Sequence, residues 1–339
     1  MTLPSPTVIE VLPADDKVGY IGKLIAHGSD VFATGGTYHM PVFASAPTGG
    51  AFVAHRTPSV SGLRDLLVED KRITAVGEYG YVGMTTTLGK SWRRLKSNTT
   101  ACLYSIARDA EQRLSITGDD GLVLCSKPGG AFLAPVPSKI GGRVLGVFVD
   151  PDSTKPWAFG TDGALAKWTG KKFAEVSLPT MKTKQSLNEM MRLPTRTLVI
   201  AANGGAILRS QDDGATWKKS PTHVRTMIEG ITATRYGVLA VGEDATLVVS
   251  YDDARSFVPV TTTMQGHLWT VTPTGDGVLI GGDKGRIYRI TAAQLARMMA
   301  VAYAGHDDRI AALAREVEAS AAGAEMVLED ALRERGLWA

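Results

Sequence analysis

Cysteine is almost absent. Cys102 and Cys125 are the two in a chain of 339 residues, which excludes a disulfide scaffold and a zinc site built on thiolates. Long apolar runs are missing too: no stretch reaches the roughly 18 residues of a helical membrane span. The opening MTLPSPTVIEVLPADD lacks a basic segment followed by an apolar one, so no signal peptide is expected and the cytoplasm is the expected compartment. Charge of one sign is also lacking. Lys and Arg number 37 against 34 Asp and Glu, and a net charge of +3 does not point to nucleic acid. The six histidines (27, 39, 55, 223, 267 and 306) are scattered without metal-ligand spacing. No G-x-S-x-G elbow occurs, and GGAF and GGRV are too short to cradle a phosphate. No catalytic residue, metal or cofactor is therefore expected.

What the chain does contain is glycine, at 37 residues, within an ordinary balance of 44% hydrophobic and 21% charged residues. That composition suits a buried core interrupted by many tight turns. The turns recur. An apolar run ending in glycine and a short polar turn appears as VFATGG, ITAVGEYG, LSITGDDG, WAFGTDG, VIAANGG, LAVGEDA and LIGGDKG. Gly35, Gly77, Gly118, Gly160, Ala202, Gly242 and Gly282 fall in register, at separations of 42, 41, 42, 42, 40 and 40 residues. A second marker, an aromatic three residues after a glycine, keeps step: Gly49 with Phe52, Gly89 with Trp92, Gly129 with Phe132, Gly170 with Phe173 and Gly214 with Trp217. Ala254 with Phe257 is a sixth copy that has lost the glycine.

Each unit reads as four short strands, as in LYSIAR, LSITG, LVLCS and FLAPV. Seven units of this length predict an all-β, seven-bladed β-propeller over residues 7–290. The last unit has three strands before the chain turns helical, so Thr7–Leu12 is expected to supply its outer strand and close the ring.

The octet SQDDGATW, Ser210 to Trp217, is the best-kept copy of the second marker; TTTLGKSW and SYDDARSF are degenerate copies. Its Ser210, Asp212, Gly214, Thr216 and Trp217 resemble the Asp-box, or BNR, repeat. The resemblance implies a hairpin between third and fourth strands, on the face away from the usual active site. The residue chemistry agrees, since Ser210 and Asp212 can bond turn amides, Gly214 can take positive φ, and Trp217 can pack between sheets. Sialidases carry such repeats, but their Arg-Ile-Pro motif is missing here and their propellers have fewer blades, so their catalytic residues are not carried over. The chain looks more like seven-bladed propellers of the photosystem II assembly-factor type. That likeness implies a binding or assembly protein rather than an enzyme, although such proteins usually carry a secretory or lipoprotein signal.

Glu78, Asp119, Asp162, Glu243 and Asp283 recur beside the glycine marker. Asp next to Gly is what a two-residue hairpin demands, so turn chemistry is expected of them rather than metal binding or glycosidase chemistry. The loops leading from a fourth strand to the next inner strand read PSKIGGR, LPTMKTKQS, SPTHVRT and TTMQGHLW. They gather Lys139, Arg143, Lys182, Lys184, His223 and Arg225, with His267 and Trp269 beside them, and PADDK near the N-terminus opposes this sign. The expectation is a basic sector around the channel mouth of a non-enzymatic scaffold that engages an acidic protein or an anionic ligand. The alternative is a carbohydrate-binding or divergent glycoside hydrolase propeller drawing on Tyr104, Glu229 and Trp269.

After Ile290 the composition shifts to Ala, Glu, Arg, Leu and Met, predicting a two-helix extension over residues 291–339. Thr-x-x-Gln at Thr291 is a capping box, and the first helix should end near Gly305. In the second, Ile310, Leu313, Val317, Ala324, Val327 and Ala331 keep near-heptad spacing, with Leu328 and Leu332 alongside. Packing on the propeller and contact with a partner or a second copy are both open at this level.

Overall fold

A computed structural model describes residues 7–10, 19–37, 40–130, 132–178, 185–305 and 324–334. Among them are seven four-stranded antiparallel sheets. Their inner strands, Ile21–His27, Leu63–Glu69, Leu103–Arg108, Gly146–Phe148, Leu187–Arg192, Ile228–Thr234 and Leu268–Thr274, touch their neighbours in an unbroken circle. The fold is the expected seven-bladed propeller. Its seventh blade takes an outer strand from the other end of the chain: Thr7–Glu10 pairs antiparallel with Arg286–Thr291, Ile9 opposite Ile287. The last two residues of the expected strand, Val11 and Leu12, lie outside the described residues.

The middle strands of each blade are sandwiched between neighbouring sheets and are buried on both faces. Leu114–Gly118 and Leu198–Ala202 are buried along their whole length, so they read as continuous apolar runs rather than alternating ones. The glycine marker at their end is a place of close approach. A Cβ on Gly35, Gly160 or Gly242 would lie 2.0, 2.0 or 1.8 Å from the carbonyl oxygen of Tyr20, Arg143 or Met227, on the approach to each inner strand. The turns that follow hold two successive residues at positive φ, such as Asp120 with Gly121 and Gly204 with Gly205, the geometry of two-residue hairpins.

The octet is a hairpin between third and fourth strands of the fifth blade, as the sequence implied. Ser210 Oγ accepts from the Gly214 amide at 2.9 Å and donates to Asp212 Oδ1 at 2.8 Å. Asp212 also accepts from the amide and hydroxyl of Thr216, at 2.8 and 2.5 Å. Gly214 stands at φ 85°, and Trp217 is buried with its ring edge-on to Trp157 at 6.3 Å. In TTTLGKSW the same bonds are made by Thr85 to the Gly89 amide and by Thr87 to the Ser91 amide. Ala254 keeps the left-handed backbone without a glycine, at φ 57°. Phe132 departs from the pattern: where the other aromatics pack, it is exposed. The second carboxylate of the octet, Asp213, is held by Lys167 and Arg192 at 2.7 and 2.5 Å.

The chain leaves the seventh blade into helix α1 (Ala292–Ala304), whose Thr291–Gln294 capping box forms as expected. Helix α1 and a second helix, α2 (Ala324–Glu334), fold back onto the propeller. Leu295, Met299, Tyr303, Leu328 and Leu332 join one core with the sixth and seventh blades. Tyr303 is fully buried, donates to the Tyr236 carbonyl at 3.2 Å and meets Tyr251 of SYDDARSF edge-on at 4.6 Å. The helices thus cover the octet face. Of the expected heptad seam, Ile310, Leu313 and Val317 lie outside the described residues. No described helix is long and apolar enough to cross a membrane.

Two consequences are measurable. Tyr303→Ala should lower unfolding free energy by about 3–5 kcal/mol in denaturant titrations, the cost of emptying a large buried ring site. A loss under about 1 kcal/mol would mean that the helices do not hold the propeller. Acid should act on the octet turn. Hydrogen bonds from Thr216 and Ser210 hold the Asp212 carboxyl down to about 2 from its ordinary 3.8. Its stabilisation is therefore present above about pH 4 and lost as pH falls toward 2. Asp212→Asn should flatten the melting temperature across that window relative to wild type.

Candidate functional site: the channel mouth

Pairing between the first two strands slips by one residue at the same place in six blades. The extra residue of such a bulge is left out of the ladder, and its side chain is re-aimed. Here it turns toward the axis. Gly22, Arg64, Tyr104, Asn188, Glu229 and Trp269 occupy the bulge, and Leu145 stands at the matching place in the fourth blade. All seven line one central cavity of about 430 Å³.

The carboxylates beside the glycine marker hold these side chains. They do sit at the first position of a turn, but they also reach back to their own inner strand. Asp119 accepts from the Tyr104 hydroxyl at 2.8 Å and the Cys102 amide at 3.0 Å. Asp283 accepts from the Trp269 indole and the His267 amide, both at 2.8 Å. Glu78 pairs with Arg64, and Asn203 accepts from Asn188 at 2.8 Å. Asp162 is out of step with this series. Thr161 fills the equivalent place and accepts from the Arg143 amide at 3.1 Å.

A ladder of planar groups runs round one side of the mouth. The Arg64 guanidinium lies over the Tyr20 ring at 5.5 Å, Tyr20 meets Trp269 at 4.9 Å, and Trp269 stacks on His267 at 3.9 Å. Burial pushes the Tyr20 phenol above its ordinary range, with Arg64 opposing. Tyr104 is raised likewise, by burial and then by its bond to Asp119.

One residue deeper the channel is braced. Lys23 of the first blade reaches Glu189 of the fifth at 2.8 Å, and Glu189 also accepts from the Ile231 amide at 3.1 Å. The pair lines both the mouth cavity and a second recess of about 290 Å³ beyond it, so it divides the channel. Asp65, at the matching place in the second blade, is buried and accepts from Leu66, Ser105 and Ile106 at 2.8, 2.8 and 3.0 Å. Burial pushes its carboxyl up, opposed by Lys23 and these donors. Burial alone would lower the Lys23 ammonium, but Glu189 and Asp65 outweigh it and raise it.

Of the loops expected at the mouth, PSKIGGR, SPTHVRT and TTMQGHLW are described, and most of LPTMKTKQS lies outside the described residues. Turn amides of Gly80, Gly121, Gly205, Ala245 and Gly285 donate to carbonyls of Ala101, Gly142, Thr226, Gly266 and Gly19, tying five of the loops between blades to hairpins on this face. Arg143 is exposed three residues before the fourth inner strand; Lys139 is exposed four residues earlier. His223 and Arg225 are exposed on the loop into the sixth blade. His267 and Trp269 are half-buried in the seventh, and Lys182 and Lys184 lie outside the described residues. Of this set only Trp269 lines the cavity. Asp120, Asp162 and Asp244 are exposed at hairpin tips on the same face, so its charge is mixed. Tyr104, Glu229 and Trp269 do converge in the cavity, joined by Arg64, Lys23, Asp65 and Glu189, none of which stood out in the sequence.

If the Lys23–Glu189 pair is a brace, Glu189→Gln should cost about 1–3 kcal/mol in denaturant unfolding by stranding a half-buried ammonium. Lys23→Met combined with Glu189→Met should recover most of that loss, because both desolvation costs vanish together. An undiminished single variant would remove the brace.

No family model matches the chain, and no curated protein sequence matches it. Solved structures do. YCF48 bound to D1 peptide superposes with a TM-score of 0.68 at 16% identity, over 86% of this chain and 96% of that one. The WD40 β-propeller domain of Doa1 gives 0.66 at 12% identity, over 83% and 96%. Virginiamycin B lyase from Staphylococcus aureus gives 0.64 at 13% identity, over 85% and 99%. At these identities the likeness establishes the propeller fold and nothing narrower.

Proposed function

We propose that this chain is a non-enzymatic binding scaffold of the Asp-box type that engages an acidic segment of a protein partner on its channel-mouth face. The observation that carries the reading is the exposure of Lys139, Arg143, His223 and Arg225 on loops fixed beside the mouth. Lys139 and Arg225 make no ion pair among the described residues, whereas Glu78, Asp119 and Asp283 on the same face are committed to internal bonds. Lys182 and Lys184 belong to the same run of loops in the sequence. A propeller of this fold, YCF48, has been solved with a peptide bound, which supports a peptide-sized partner. The bonds of the octet support the Asp-box assignment, with its role structural.

A carbohydrate site is the weaker reading. The Tyr104 hydroxyl already donates to Asp119, and Trp269 is packed against His267 and Tyr20, so the indole surface a sugar would lie on is in use. The triple variant Arg143→Glu, Lys184→Glu, Arg225→Glu should lose the protein captured by wild type from an extract of the source cells, and melt at the same temperature. Capture should also weaken with salt. Unchanged capture removes this face as the partner site.

A further inference from the structure

Among the described residues, the fixed charges in the walls of the mouth cavity have a hydrogen-bonded partner, with one exception. Lys23 faces Glu189, Arg64 faces Glu78, and Asp65 accepts three hydrogen bonds. Glu229 differs. Its carboxylate lies 3.4 Å from His267 Nε2, yet that ring nitrogen makes no hydrogen bond. With its side chain 18% exposed, Glu229 is largely withdrawn from water, and among the described residues no side chain donates a hydrogen bond to it.

The neighbouring groups complement a cation. Asn188 spends both amide hydrogens, on Asn203 Oδ1 and on the Ile228 carbonyl, each at 2.8 Å. A carbonyl only accepts, so the orientation of this amide is settled and its Oδ1 remains an acceptor at the cavity wall. Trp269 is held rigid on the other side by Asp283, His267 and Tyr20. Leu145 and Phe148 of the fourth blade add apolar wall on which an alkyl stem can lie.

We propose that the channel mouth is a site for an organic cation, an alkylammonium or guanidinium group seated on Glu229 and Asn188 beside Trp269. The site rests on the mouth being a binding face and not on the basic loops. The same chemistry has two sources: a Lys or Arg side chain of a bound protein segment, or a free organic amine.

The test follows the Trp269 indole N–H by nitrogen-15 NMR, assigned by its loss in Trp269→Phe. Titration with n-butylammonium or n-butylguanidinium should give a saturable shift, and neutral n-pentanol should not. Glu229→Gln, nearly isosteric, should weaken the cation's affinity at least about tenfold. Equal responses to n-pentanol and both cations, no shift with either cation, or undiminished affinity in Glu229→Gln would each overturn the site. The first two comparisons use wild-type protein and do not depend on the variant folding. An acidic decapeptide with one central Lys, compared with its norleucine counterpart, separates the sources. Tighter binding of the Lys peptide than of n-butylammonium assigns the site to a partner side chain; binding no tighter assigns it to a free amine. Should the loop variant leave partner capture intact while Glu229→Gln abolishes the n-butylammonium shift, the acidic-partner reading fails and the cation site stands.

Discussion

Four residue pairs between Thr7–Glu10 and Arg286–Thr291 join the two ends of the propeller in one sheet. Each blade buries its middle strands only because it has a neighbour on both sides, and a linear array would leave two such faces open to water. Closure removes both and sets the inner strands around an axis. A central cavity, a mouth face and an opposite face exist only once that circle is complete.

Within the circle, one local irregularity shapes the site. The bulge at the start of the inner strand turns a side chain toward the axis in five blades, and in three of them the hairpin carboxylate of the same blade fixes it there. A repeated structural device therefore carries unlike side chains: Arg64, Tyr104, Asn188, Glu229 and Trp269 share one backbone position. Such a frame holds its geometry while the chemistry at the mouth varies. The described apolar side chains of the two helices, among them Leu295, Met299, Leu328 and Leu332, pack on the opposite face around Tyr303.

Much of this was legible in the residues. The glycine register identified the blade count, and Gly35, Gly77, Gly118, Gly160 and Gly242 prove to be points of close backbone approach. The octet announced its own turn. The bulge left a mark that went unread: Leu63 with Leu66, Leu103 with Ile106 and Leu268 with Val271 are apolar residues three apart in strands whose period is two. The carboxylates beside the glycines were read as turn formers, which they are, but their second task depends on an inner strand some 15 residues away in sequence, as for Asp119 and Tyr104. Loop charge was visible as composition. That Asp120, Asp162 and Asp244 share the face with those cations is a matter of hairpin geometry.

Local rules, then, were enough for the number of blades, the closing strand, the octet turn and the capped first helix, because each rests on short-range spacing or backbone conformation. Which side chains meet across the channel was not available from spacing. Lys23 and Glu189 are 166 residues apart, and their ion pair comes from two inner strands facing each other over a pore that forms only when the ring closes. Tyr104, Glu229 and Trp269 were legible as mouth candidates in the sequence, whereas Lys23, Arg64, Asp65 and Glu189 were not. Tertiary structure decides which of their charges are matched and which carboxylate is left facing the cavity, since matching is a property of distance in space.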